Sequence, residues 1–243
     1  MAIEFVVLIL GAYLLGSVPA AYLVARFSRR MDLRQYGTGQ VGAGNLWRMT
    51  SWRLGLPVGI FDLGKGMAMV WVAQLVGLGI AQQVAVGLTA IMGHNWPVFL
   101  GFNGGRGVGT TIGVILILPL INDMTPWVAV AFLTILVIGT LTMRSSPVPV
   151  VIGAVSLPLV SWWFHEQLLV TLGFLAMFLI IVIRRLAVPR AAIAASVSYR
   201  ELLLNRLLFD RDIRDGKAWI HRAPAEVSST EQPPRQQEKP KKG

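Results

Sequence analysis

Cysteine is absent from all 243 residues. That excludes disulfides, thiolate nucleophiles and Cys-ligated metals. Histidine is nearly as scarce: His94, His165 and His221 lie far apart, with no H-x-x-x-H or H-E-x-x-H spacing, so no metal site is expected. Charge is thin too, at 14 % of residues, where a soluble globular chain carries roughly 25 %. Acidic residues are outnumbered, 12 against 22 Lys and Arg. What remains is 54 % hydrophobic with a mean hydropathy of +0.62, the composition of an integral membrane protein.

Seven apolar segments follow one another, at 3–25, 54–78, 81–100, 108–121, 126–143, 148–164 and 168–183. A full span takes about 20 residues, with a range of about 17–25. The fourth and seventh, at 14 and 16 residues, fall short, which leaves open five crossings with two interfacial or re-entrant pieces. The first segment resembles a signal peptide only superficially, since its positive charges follow the apolar run instead of preceding it.

Charge placement tests the count. With the N-terminus outside, 21 of the 22 Lys and Arg fall on the cytoplasmic side, in 26–53, 101–107, 142–147 and from 184 onward. None is external, and Lys65 lies inside the second segment. The external side holds only Asp123 and Glu166, with Glu4 at its edge. The positive-inside rule then favours an odd number of crossings. The expected fold is an all-α integral membrane protein of about seven transmembrane helices, N-terminus outside, with a cytoplasmic C-terminal amphipathic helix and tail. Residues 1–186 form the membrane domain. In 187–222, Leu203, Leu204, Leu207 and Leu208 recur at helical spacing among charges, which predicts an amphipathic helix on the membrane surface. Residues 223–243 are Pro-, Gln- and Lys-rich with no apolar period and are expected to be disordered.

Two loops are dense in glycine. Five glycines crowd into 101–109 around Arg106, the only Lys or Arg between Lys65 and Arg144. In 32–48, Gly37, Gly39, Gly42 and Gly44 alternate with small polar residues between Arg34 and Arg48. Such backbone can turn its N–H groups around an anion, and a guanidinium adds a fork of donors suited to phosphate. A plain turn between buried helices, or a basic loop drawn to anionic lipid, explains parts of the same pattern. No Walker A sequence occurs, and no strand–helix context supports a dinucleotide fold. Inside the second segment, Asp62 and Lys65 share one helix face. Charges at that depth either pair to tether helices or line a polar cavity, and both readings stay open.

These blocks carry a resemblance. Tyr13-Leu14-Leu15-Gly16-Ser17-Val18-Pro19 resembles Y-L-L-G-S-I-P, and the 32–48 loop resembles D-[IL]-R-x-x-G-S-G-N-x-G-A-T-N-x-x-R. Asp62-Leu63-Gly64-Lys65-Gly66 resembles D-x-x-K-G. The stretch from Gly93 to Thr111 resembles G-H-x-[FY]-P-V-F-x-G-F-K-G-G-K-G-V-A-T. Together they are similar to the bacterial acyl-phosphate:glycerol-3-phosphate acyltransferase family (PlsY type). The resemblance implies a seven-helix inner-membrane enzyme with its active site at the cytoplasmic face. It implies acyl transfer from an acyl-phosphate to the 1-hydroxyl of glycerol 3-phosphate, giving lysophosphatidic acid and phosphate. No cofactor and no nucleic acid are implied; the partners are the two substrates and membrane lipid, and a monomer is expected.

Carried over position by position, Gly37, Gly39, Gly42, Asn45 and Arg48 match in the first loop, Lys65 in its block, and Gly104, Gly105 and Gly107 in the second loop. Arg106 replaces a lysine and keeps the charge. All of these are expected substrate-binding residues. Thr38, which replaces a serine, Ser146 and His94 are the expected catalytic residues. His94 is a candidate general base, although without an evident orienting carboxylate a structural cap or phosphate donor is favoured. Other positions depart: Gln40 stands for Asn, Gly44 for Thr, Asn103 for Lys and Gly109 for Ala. The family's third motif, H-R-x-N-I-x-R-L-x-x-G-x-E, falls by this alignment on 200–212, where Arg200 stands for His and Leu203 for Asn. Such erosion motivates an alternative, a non-catalytic paralogue that binds lipid or a phosphorylated metabolite. A transporter is more distant, since no two-halved repeat with broken helices is evident.

Overall fold

In the computed structural model, which describes residues 2–188 and 191–222, helices and connecting loops make up the chain, with no strand among those residues. The 223–243 tail lies outside the described residues. Each of the seven apolar segments is helical, as expected where lipid leaves backbone groups no partner but their own helix.

The first segment is not one helix. It divides into α1 (Ala2–Ser17) and α2 (Ala20–Arg29). Pro19 carries no N–H and disfavours helical backbone at Val18, which breaks the ladder there. Within the first glycine-rich loop lies the short α3 (Ala43–Met49), and α4 (Trp52–Leu75) follows. α5 (Ile80–Asn95) stops ahead of Pro97, so the last residues of the third apolar segment form a separate turn, Val98–Leu100. Then come α6 (Val108–Ile121), α7 (Trp127–Met143) and α8 (Pro147–Trp163). α9 (Leu168–Leu186) runs past the apolar run's end, because Arg184 and Arg185 continue the helix that hydropathy alone would stop.

By length and composition three stretches suffice to cross a bilayer: Ala2–Arg29, Trp52–Leu75 and Leu168–Leu186. The shorter apolar helices are α6, α7 and α8. Phe132, Phe174, Leu118, Leu157 and Ile91 fill the main interior cluster between α5 and α9. Ile3, Val6, Val7 and Leu10 of α1 point outward and stay exposed, the arrangement expected of a face meeting hydrocarbon rather than water.

Beyond the bundle, α10 (Tyr199–Phe209) packs on α8 and α9. Its inward face is Leu202, Asn205 and Arg206, while Leu204 and Leu208 of the leucine set remain exposed. The chain then turns at Asp210 into α11 (Gly216–Ile220), and Trp219 and Arg222 come back onto the first glycine-rich loop.

Candidate active site

Two polar centres lie on either side of the second glycine-rich loop. The first is buried. Lys65 on α4 is 3 % exposed and spends its three ammonium protons on three acceptors. These are the Gly16 carbonyl at 2.9 Å, Asp62 Oδ1 at 2.9 Å and His94 Nδ1 at 3.0 Å. An Nδ1 that accepts from Lys65 puts the imidazole proton on Nε2. The cluster therefore ties α1, α4 and α5 together with every charge answered. His94 Nε2 abuts Gly105, where a Cβ would collide with the ring and with the Val41 carbonyl, so only glycine fits.

The second centre is open. A cleft of about 900 Å³ lies on the other side of that loop, and seven arginines against two aspartates line it. The first loop supplies Arg34, Thr38, Gly39 and Gln40, and the second supplies Asn103, Gly104 and Arg106. Arg34 binds Asp32 through Nε and Nη2, which holds the Asp32 carboxyl below the usual carboxylate range. Arg184 and Arg185 at the end of α9 form a third wall, and Arg206, Arg211 and Arg222 of the C-terminal segment a fourth. An excess of guanidinium groups in a partly enclosed space focuses a positive potential on whatever enters.

The glycine-rich loops build this cleft in a way that differs from the expected N–H cradle. Gly104 and Gly105 donate their N–H groups back to the Asn95 and His94 carbonyls, and Gly39 donates to the Tyr36 carbonyl. Their carbonyls face arginine instead. Arg184 donates from Nε to the Gly105 carbonyl at 3.0 Å and from Nη2 to the Gly104 carbonyl at 2.9 Å and Asn103 Oδ1 at 3.0 Å. Arg222 donates to the Gly37 carbonyl at 2.6 Å, and its guanidinium lies 4.0 Å from the Trp219 ring centre. The glycines give close approach and tight turns, as at Gly39 with φ +78°. The arginines, not the glycine N–H groups just named, offer the donors.

Of the expected residues, the structure brings Thr38, Gly39, Gly104 and Arg106 to the cleft wall. The Thr38 hydroxyl is buried there without a partner. Gly37, Gly105 and Gly107 shape the same two loops from behind, and Gly42 starts α3. Asn45 is buried and fully spent on backbone. Its Nδ2 donates to the Leu33, Tyr36 and Gln40 carbonyls and its Oδ1 accepts from the Thr38 N–H, so it folds the loop instead of presenting to a ligand. Lys65 and His94 stand behind the loop, occupied with each other and with Asp62. Arg48 is exposed outside the cleft lining, and Ser146 caps α8 without reaching that lining.

Sequence reasoning missed Arg184, Arg185, Arg206, Asp210 and Arg222. The first two carried a signal, a pair of cations directly after the last apolar run, but it reads equally as a membrane flank. Arg206 and Asp210 fell within the 200–212 stretch aligned to the third motif, Arg206 on its arginine and Asp210 on its glycine, but were not taken as site residues; Arg222 becomes visible only when the C-terminal segment is folded back.

A helical membrane protein with an arginine-lined cleft between its glycine-rich loops belongs to the class that handles anionic head groups at a bilayer. More specifically, the chain belongs to the glycerol-3-phosphate acyltransferase family, whose model matches residues 6–192. It is 43 % identical over 236 residues to glycerol-3-phosphate acyltransferase 5 of Dehalococcoides mccartyi, covering 94 % of this chain and 98 % of that one. It is 41 % identical over 228 residues to glycerol-3-phosphate acyltransferase 4 of strain CBDB1 of the same species, covering 91 % and 95 %. Among solved structures it is similar to PlsY (YgiH), an integral membrane glycerol 3-phosphate acyltransferase, in its glycerol 3-phosphate form. That similarity has a TM-score of 0.68 at 28 % identity, over 75 % of this chain and 88 % of the other. The family match ends at Ala192, so the eroded third motif assigned to 200–212 lies beyond it. Arg184 and Arg185 are the cations that the matched region contributes to that end of the cleft.

Proposed function

We propose that this protein transfers a fatty acyl group from an acyl-phosphate to the 1-hydroxyl of glycerol 3-phosphate in phospholipid synthesis. The observation that carries the reading is the cleft itself, with its seven arginines and two aspartates. Both substrates and the leaving group bear phosphate, and an acyl-phosphate is already activated, so catalysis reduces to holding two anions in line and stabilising developing charge. Arg106 and Arg185 are assigned to the phosphates, and the Thr38 hydroxyl to a substrate oxygen.

The hydroxyl oxygen forms an ester bond to the acyl carbon as the acyl–oxygen bond to phosphate breaks. Both cleft aspartates are ion-paired, Asp210 with Arg106 and Asp212 with Arg206, and His94 is sealed behind Gly105. The departing phosphate is then the free base that takes the hydroxyl proton and leaves as hydrogen phosphate. Lysophosphatidic acid is the other product.

The topology that fits this chemistry has seven crossings, the N-terminus outside and the cleft at the cytoplasmic face of a bacterial inner membrane. The placement of 21 of the 22 Lys and Arg supports it. One chain supplies all four walls, which supports action as a monomer. A non-catalytic reading rested on an eroded third motif, and the cationic wall formed by Arg184 and Arg185 removes that motive. Purified protein in detergent or nanodiscs should release inorganic phosphate only when acyl-phosphate and glycerol 3-phosphate are both present. Turnover no higher than that of Arg106→Ala overturns the reading.

A further inference from the structure

The cleft has one wall that the family match does not reach. Residues 199–222 lie wholly beyond 192, yet they touch both glycine-rich loops: Trp219 Nε1 donates to the Thr38 carbonyl at 3.3 Å and Arg222 to the Gly37 carbonyl at 2.6 Å on the first, and Asp210 accepts from Arg106 of the second. At the centre of this wall is Asp210, 8 % exposed, held in left-handed backbone at φ +54° with its N–H donating to the Arg206 carbonyl at 3.1 Å. Aspartate tolerates that conformation better than most side chains, though not as freely as glycine. Its carboxylate bridges the loops. One oxygen accepts from Gln40 Nε2 of the first loop and the other from Arg106 Nε of the second at 2.8 Å.

Arg106 is thereby fixed in plane. Its Nε is committed to Asp210, and its Nη1 donates to the Arg184 carbonyl at 2.9 Å. Bonds at Nε and Nη1 hold the guanidinium plane and leave Nη2 as its free corner, a charged donor held in a fixed direction for a phosphate oxygen. We propose that Asp210 is a positioning residue of the acyltransferase site, supplied from outside the family match, which aims the free Nη2 of Arg106 at a substrate phosphate. This rests on the assignment of Arg106 to phosphate made above.

Charge alone argues the other way. A carboxylate beside the phosphate position repels the substrate, so if Asp210 were merely an internal anion resting on Arg106, its removal would tighten binding. The two roles therefore move KM in opposite directions. Full-length protein in detergent is assayed for turnover, and glycerol 3-phosphate binding is followed calorimetrically. Asp210→Ala is expected to raise the KM for at least one phosphate-bearing substrate about tenfold, the order of one charge-assisted hydrogen bond. Asp210→Asn keeps an acceptor for Arg106 Nε and should recover most of that loss. A fall in KM in both variants overturns the proposal in favour of an internal anion. An unchanged KM with a lowered melting temperature overturns it in favour of a structural role. If the unaltered protein neither binds glycerol 3-phosphate nor turns over, or if Arg106→Ala leaves KM unmoved, it is the underlying assignment that fails. Wild-type turnover and sensitivity to Arg106→Ala, with an indifferent Asp210→Ala, sinks the Asp210 inference alone.

Discussion

The two polar centres flanking Gly105 hold similar groups to different ends. In the Asp62–Lys65–His94 cluster each Lys65 proton has an acceptor, and a carboxylate lies at 2.9 Å from the ammonium. In the cleft, arginines outnumber aspartates by seven to two, and the Thr38 hydroxyl lacks a partner. Both centres match family blocks, so resemblance does not separate them. Satisfaction does: a buried charge whose partners are complete is a tether. The cleft pairs Arg34, Arg106 and Arg206 with Asp32, Asp210 and Asp212, yet Arg184, Arg185, Arg211 and Arg222 have no carboxylate partner among the described residues, and that surplus of positive charge awaits an anion.

The comparison is broken most forcefully at Lys65. Lys65→Met leaves Asp62 as a buried charge without its main partner, and breaking such a pair costs about 3–5 kcal/mol. Thermal unfolding in detergent should show a large loss of stability. Asp62→Asn combined with Lys65→Met should recover part of it, because no lone charge is then left inside. A Lys65→Met protein of normal stability with a raised KM would instead make Lys65 a substrate ligand and erase the distinction between the centres.

Arg106→Ala is the matching change on the open side. Losing a charge-assisted bond worth about 1.5–3 kcal/mol should lower kcat/KM roughly 10- to 100-fold, chiefly through KM. Asp210 keeps the Gln40 bond but loses its ion pair, so thermal unfolding in detergent should also show a lower melting temperature. Because the cleft's field is solvent-connected, raising ionic strength should weaken wild-type substrate binding more than that of the variant. Equal salt dependence would show that Arg106 contributes little to attraction.

These contrasts also explain what was legible in the sequence. The helices were, because a bilayer leaves each crossing segment only its own carbonyls as partners, and long apolar runs follow. Pro19 and Pro97 marked two of the breaks, even though the first was absorbed into a single expected span. Both glycine-rich loops were recognisable as parts of one site. Which groups those loops present was not. The N–H groups of Gly104 and Gly105 close onto the end of α5, a choice set by how Pro97 turns the chain, and the loop then offers carbonyls to Arg184. Nor does local pattern reveal that Arg106 meets Asp210, 104 residues away. In α10 the leucine spacing marked a face for the membrane surface, and Leu204 and Leu208 are exposed; it did not show that Asn205 and Arg206 turn inward, where Asp212 and the Leu186 carbonyl await them.

Smaller effects sharpen the boundary of the cleft. Thr38→Val changes little in shape but deletes the unpartnered hydroxyl. If that hydroxyl receives a substrate oxygen, kcat/KM should fall about tenfold while the melting temperature holds or rises, since a buried unsatisfied group has been removed. A lowered melting temperature with unchanged kinetics would assign the hydroxyl to the fold.

Ser146 should matter least. It lies in none of the blocks that carry the resemblance, caps α8 without a side-chain capping bond, and does not line the cleft. Ser146→Ala should therefore alter kcat/KM by less than about twofold, within the range of substitutions away from buried networks. Steady-state kinetics on both substrates decides it. A tenfold loss at constant melting temperature would bring the α7–α8 turn into contact with substrate. The cleft would then need a fifth wall, and satisfaction of charge would no longer suffice to tell site from scaffold.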